Sequence, residues 1–150
     1  MKRLLLIAGI SASFAATTPA FAMTDSECAA AWTKADTNKD GTLSEAEASR
    51  YFAALRVLNT PVADGKLTQA MFLEHCKAGH FTSAKIDAGA PLSGSNSFTE
   101  NQAKDRATAA GFSNVTALKK DANGIWRGTA ADGAKTVTVS IDFKGNVVAQ

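Results

Sequence analysis

The sequence predicts an α+β protein of two modules: three helices in the first, and one helix laid on a three- to four-stranded antiparallel sheet in the second. Three observations predict it. Between Asp36 and Glu47, oxygen-bearing side chains recur at alternate positions, flanked on both sides by helix-forming stretches. From Lys135 to Phe143, apolar Val137, Val139, Ile141 and Phe143 alternate with Thr136, Thr138, Ser140 and Asp142, the period of a strand with one buried face. Between these regions, 80–97 gathers Gly89, Pro91, Gly94 and four serines with little apolar periodicity, the composition of a linker.

The N-terminus reads as an export signal. Lys2 and Arg3 form a basic start, Leu4 to Ile10 an apolar centre, and Ala20-Phe21-Ala22 a small-x-small cleavage site. The apolar run is too short to span a bilayer. Cleavage after Ala22 is expected to release a periplasmic or secreted protein, with no anchor left behind. Export also changes the charge. Of 16 basic residues, Lys2 and Arg3 leave with the signal, so the mature chain carries 14 basic against 14 acidic residues. A neutral chain gives no support for nucleic-acid binding.

The first module is expected over 23–79. Thr24-Asp-Ser-Glu27 is a capping box that opens a helix carrying Cys28, Trp32 and Ala35 on one face. Asp36, Asn38 and Asp40 then occupy positions 1, 3 and 5 of a twelve-residue loop, Gly41 the sharp turn at position 6, and Glu47 position 12. Thr42 would offer its carbonyl and Ser44 would reach an ion directly or through water. Leu43 is apolar where the loop backbone would pair with a second loop. Ser44-Glu-Ala-Glu47 is another capping box, and the exit helix continues through Tyr51, Phe52, Leu55 and Leu58.

These residues resemble the calcium loop of the EF-hand family, with Asp36, Asn38, Asp40, Thr42, Ser44 and Glu47 as the metal ligands and calcium as the cofactor. A decayed second loop follows at Asn59 to Thr68. Asp64-Gly65-x-Leu67 keeps the turn and the apolar position, but Pro61 and Val62 replace early ligands and Met71 stands where a closing Glu is needed. Gly41 and Gly65 are 24 residues apart, too close for two full units, so the middle helix must serve both loops. Three carboxylates beside a ligand-poor partner loop argue for a dissociation constant on the order of 10⁻⁵ to 10⁻³ M.

Cys28 and Cys76 are the only cysteines. Outside the cytoplasm such a pair is expected to form a disulfide, tying the first helix to the third. Closing a loop of that span stabilises a fold by about 4 kcal/mol in the chain-entropy model. A module this small has little core of its own.

The second module is expected over 98–150. Thr99-Glu-Asn-Gln102 caps a helix that Gly111 stops. Strands are expected near Val115 to Lys119, Gly124 to Ala130 and Lys135 to Phe143, with Asn123-Gly124 and Asp132-Gly133 as turns. Gly145-Asn146 leaves room for a short fourth strand. The pattern Ala110-Gly111-Phe112, Gly124-Ile125-Trp126-Arg127-Gly128, Val137-Thr138-Val139 and Asp142-x-x-Gly145-Asn146-Val147 resembles a PepSY-type domain, the module of peptidase propeptides. That resemblance implies an interaction role.

No nucleophile-base set is visible, so no enzyme is expected. Glu74, His75, Cys76 and His80 could be read as a transition-metal cluster, but a disulfide would consume the thiolate. Trp126 and Arg127 should point to opposite faces of their strand. The expected function is a calcium-binding accessory or interaction protein of the cell envelope, with a protein partner there. The alternative is a peptidase-restraining protein in which calcium is purely structural.

Overall fold

Thr24 opens the first helix. In the computed structural model, which describes residues 23–82 and 86–150, its hydroxyl accepts from Glu27 N at 3.3 Å and its own N–H donates to Glu27 Oε2 at 2.8 Å. The export signal read over 1–22 lies outside the described residues. Helix α1 (Asp25–Ala35) buries Cys28 and Trp32, which are four residues apart and so share one face. The chain then passes through the oxygen-rich loop into strand β1 (Thr42–Ser44) and helix α2 (Glu45–Val57). A single helical turn over Ala63–Gly65 leads to strand β2 (Lys66–Thr68) and helix α3 (Gln69–Lys77).

Strands β1 and β2 pair antiparallel with Leu43 opposite Leu67, and neither leucine has exposed surface. Around them, α1, α2 and α3 close on an aromatic core centred on Phe72. Its ring meets Trp32 at 5.4 Å, Tyr51 at 4.8 Å and Phe81 at 5.1 Å between centroids. Cys28 and Cys76 are joined, Cα to Cα 5.8 Å, which binds α1 to α3 as the cysteine count implied. Helix α3 stops at Lys77, two residues short of Gly79. Gly79 takes a φ of +77° and the amides of Gly79 and His80 fold back onto the carbonyls of Cys76 and His75.

The second module places helix α4 (Glu100–Ala109) across a four-stranded sheet in the order β3-β4-β5-β6. These are β3 (Lys119–Lys120), β4 (Trp126–Asp132), β5 (Lys135–Ile141) and β6 (Val147–Ala149). Ala103 and Ala107 bring α4 close to Val139 and Ile141, all four without exposed surface. The module is thus a helix on an antiparallel meander, with the short fourth strand present.

Strand boundaries depart from expectation most at β3. The segment expected to pair from Val115 pairs only from Lys119. Asn114 sits at a φ of +51°, which turns the chain out of extended geometry. Contact with β4 survives at isolated points, a Ser113–Ala131 bridge and Thr116 N–H to the Thr129 carbonyl at 2.9 Å. The amide of Leu118 donates instead to Glu100 at 3.1 Å.

The stretch read as a linker over 80–97 is shared between the modules. Phe81 belongs to the first core. Beyond it, Asp87 N–H donates to Asn146, Leu92 N–H to Asp142, and Gly94 N–H to the Asn123 carbonyl, all within 3.0 Å. The segment is pinned by backbone amides, for which composition carries no signal. The two modules also dock directly, α2 against α4. Arg50 donates to the carbonyls of Ala109 at 3.2 Å and Phe81 at 3.0 Å, and Arg56 pairs with Asp105 at 2.7 Å. Among the described residues no helix is long and apolar enough to cross a membrane.

Candidate metal centre

Asp36 caps the end of α1, its N–H donating to the Trp32 carbonyl at 2.9 Å. Its side chain turns inward and the residue is 7 % exposed. One carboxylate oxygen, Oδ2, accepts from Gly41 N at 3.2 Å across the loop. The other, Oδ1, is buried with no hydrogen-bond partner. Gly41 makes the closure possible: its φ is +80°, and nothing lies near the place of a Cβ, so conformation rather than space requires glycine.

Asn38 and Asp40 brace the loop from its outer side. Asn38 Oδ1 accepts from Asp40 N at 2.9 Å, and its amide nitrogen donates to Asp40 Oδ2 at 3.2 Å. Asp40 Oδ1 accepts from both the hydroxyl and the amide of Thr42, each at 2.8 Å. Those two bonds, the hydroxyl first, hold the Asp40 carboxyl below its ordinary range.

Glu47 reaches back from the first turn of α2. Its Oε2 accepts from the Ser44 hydroxyl at 2.7 Å and from Ser44 N at 3.0 Å. The hydroxyl, then the amide, lowers the Glu47 pKa against the effect of burial; the Asn38 N–H adds a smaller lowering and the charge of Asp40 a smaller opposing effect. Its second oxygen, Oε1, is buried and unpartnered like Asp36 Oδ1. Immediately after Glu47 the helix is interrupted, with buried Ala48 at φ −138°, ψ 36°.

The six residues named from the sequence therefore follow one another from the end of α1 through β1 to the first turn of α2. The loop does not draw Asp36, Asp40 and Glu47 onto a single point. Among the described residues no three carboxylate, imidazole or thiol groups converge closely enough to hold a metal ion. Each carboxylate is engaged instead by the nearest hydroxyl or amide of its own loop. A buried carboxylate oxygen without a donor costs roughly 1–3 kcal/mol or more. Within this turn that cost falls on two oxygens, from loop positions 1 and 12. Both are oxygen acceptors of the kind a hard cation takes as ligands.

The partner loop has no such oxygens. Asp64 and Gly65 hold left-handed conformations, φ +53° and +62°. Val62 and Met71 are instead packed against the apolar core. Its contribution is the β2 backbone.

At the end of α3, the Nδ1 atoms of His75 and His80 lie 2.7 Å apart, one hydrogen bond between two imidazoles. Burial, and then the charge of His80, push His75 below its ordinary pKa. Cys76 is spent in the disulfide, and the considered cluster with Glu74 does not assemble among the described residues. On β4, Trp126 packs against the sheet core and donates Nε1–H to the Phe98 carbonyl at 3.2 Å. Arg127 points the other way to Asp121 at 2.8 Å.

One feature escaped the sequence reading, a cavity where the modules meet, with Arg106 in its wall. The buried neighbours Ala103 and Ala107 put Arg106 at the edge of the packed face of α4, but only the docking of α2 builds the opposite wall. No family model, curated protein or solved structure matches the chain.

Proposed function

We propose that this chain is an exported calcium-binding accessory protein in which one ion orders the first module and the second module serves interaction with a partner in the cell envelope. In this reading the first module is an EF-hand pair with one working loop, and Asp36, Asn38, Asp40, the Thr42 carbonyl, Ser44 and Glu47 hold the ion. One observation carries the proposal: Asp36 Oδ1 and Glu47 Oε1, from the first and last positions of the loop, are both buried without a partner.

Two further features support it. The β1–β2 pairing gives the loop backbone a partner even though the second loop lacks ligands. The Cys28–Cys76 bond suits an oxidising compartment. The ion would supply charge neutralisation and cross-linking within the loop. Through α2, which carries Glu47 at one end and packs on α4, that ordering reaches the second module.

The test is bound calcium per chain after gel filtration of the exported protein in a calcium buffer. One ion per chain is expected, and its loss in Asp36→Asn. A chain that elutes free of calcium at millimolar concentration contradicts the proposal.

A further inference from the structure

Beside the seam between α2 and α4 lies a cavity of about 650 Å³, within the size range of small-molecule sites. Leu58, Ile86, Phe112 and Val147 supply apolar wall. The large apolar side chains left exposed among the described residues are Leu58, at 42 %, and Ile86, at 50 %, and both stand at this cavity. Its ionisable groups are Arg106 and His80, and no carboxylate lines it among the described residues.

Arg106 is the distinctive member. Arg50 donates to two carbonyls, Arg56 pairs with Asp105 and Glu45, and Arg127 pairs with Asp121. Arg106 instead lies with its guanidinium 4.1 Å from the centre of the Phe98 ring and against the backbone of Gly145, where a Cβ would come within 2.7 Å of Nη1. Its Nε is buried without a partner, and no ion pair reaches the guanidinium among the described residues. Burial lowers its pKa, with no carboxylate to offset the effect.

A cation held without a counter-ion beside wetted apolar walls leaves two costs standing. An inorganic anion would meet only the first, and a neutral hydrocarbon only the second. We propose that the cavity binds a small amphiphilic monocarboxylate of the fatty-acid type, its carboxylate on Arg106 and its chain along Leu58, Ile86, Phe112 and Val147. The planar guanidinium suits a carboxylate, which it can grip through two parallel N–H bonds. This site is independent of the calcium loop and stands or falls separately from it.

The experiment is calorimetric titration of the full mature chain with dodecanoate below its micellar concentration, against dodecyltrimethylammonium and acetate. Dodecanoate should bind one per chain, and the other two weaker by at least about tenfold, the worth of a charge-assisted pair or of the apolar chain. Arg106→Gln should weaken dodecanoate by at least about tenfold while the chain remains folded. Ala149→Trp, which fills the cavity from its rim and leaves Arg106 intact, should also abolish binding. Equal affinity for the cationic and anionic amphiphiles overturns the proposal, as does dodecanoate affinity unchanged in Ala149→Trp. Tighter binding of a leucine-ending peptide with a free carboxylate would overturn the lipid-like assignment in favour of a peptide terminus.

Discussion

Leu43 and Leu67 face each other as the middle pair of the short ladder that joins the two loops of the first module, and neither retains any exposed surface. The pair has two roles. It fills the space between the loop backbones, and it fixes the register by which β2 completes the hydrogen bonding of β1. The oxygen-rich loop is thereby held by a partner that has no ligands of its own.

Leu67→Ala should therefore destabilise the protein by about 2–5 kcal/mol, the range for truncating a fully buried leucine. It should also weaken calcium binding on the proposed reading, although Leu67 is not itself one of the ligands. Chemical denaturation and a calcium titration of the same variant check both. Normal stability would show that the two loops do not depend on each other.

Asp142 provides a pH test in the second module. Burial pushes its pKa up, but hydrogen bonds from the Asn146 side chain, Leu92 N–H, Asn146 N–H and Lys144 N–H outweigh burial and leave it lowered. Asp121 is lowered as well, first by Arg127 and then by the amide of Ile125. A carboxyl whose folded pKa lies below its unfolded value stabilises the fold above the unfolded pKa, and that contribution is lost as pH falls through the folded one. Stability should hold from neutrality down to about pH 4 and decline below it. In Asp142→Asn, an amide NH₂ would face either Leu92 N–H and the Asn146 amide, or Lys144 N–H and Asn146 N–H. The loss should be about 1–3 kcal/mol at pH 7 and smaller in acid. A pH-independent difference between parent and variant would contradict this account.

Arg50 bears on whether the modules act as one body. Its guanidinium donates to Phe81 and Ala109, the end of one module and the last turn of the helix in the other. Arg50→Met keeps the aliphatic stem and removes the donors. It should cost about 1–3 kcal/mol and speed proteolytic cutting between 83 and 98. Unchanged cutting would mean that the other α2–α4 contacts suffice.

Much of this was legible in the sequence for a local reason. Capping boxes at Thr24 and Thr99, the alternation along β5 and the turn at Gly41 each rest on residues a few positions apart. What was not legible depends on distant partners. The segment before β3 leaves the ladder because Asn114 turns left-handed and Glu100, in α4, takes the amide of Leu118. The stretch 80–97 has a linker's composition because its anchors are backbone amides donating to Asn146 and Asp142 and to the carbonyl of Asn123. The turn from Asp36 to Glu47 rests on residues close together in the chain. The two unpartnered oxygens within it were not legible, since they depend on how Asp36 and Glu47 are buried.

Calcium, on the proposed reading, acts as a staple. A sensor opens two hands to expose an apolar groove. Here α2 serves both loops, the disulfide joins α1 to α3, and α2 is packed on α4. Each of these opposes opening. Calcium a hundredfold above its dissociation constant should add about 2.7 kcal/mol of stability. Binding of a hydrophobic dye by the folded protein should fall or stay level. A clear rise in dye binding with calcium would show a groove opening and replace the staple with a switch.

The most direct measurement is a calorimetric calcium titration of the mature, disulfide-bonded chain beside its Glu47→Gln variant. The parent should bind a single ion, with a dissociation constant on the order of 10⁻⁵ to 10⁻³ M. The variant keeps the shape of Glu47 but loses its charge, and its affinity should fall by more than about tenfold. Two equivalent sites, or an affinity that Glu47→Gln leaves untouched, would contradict the assignment of the ion to this loop.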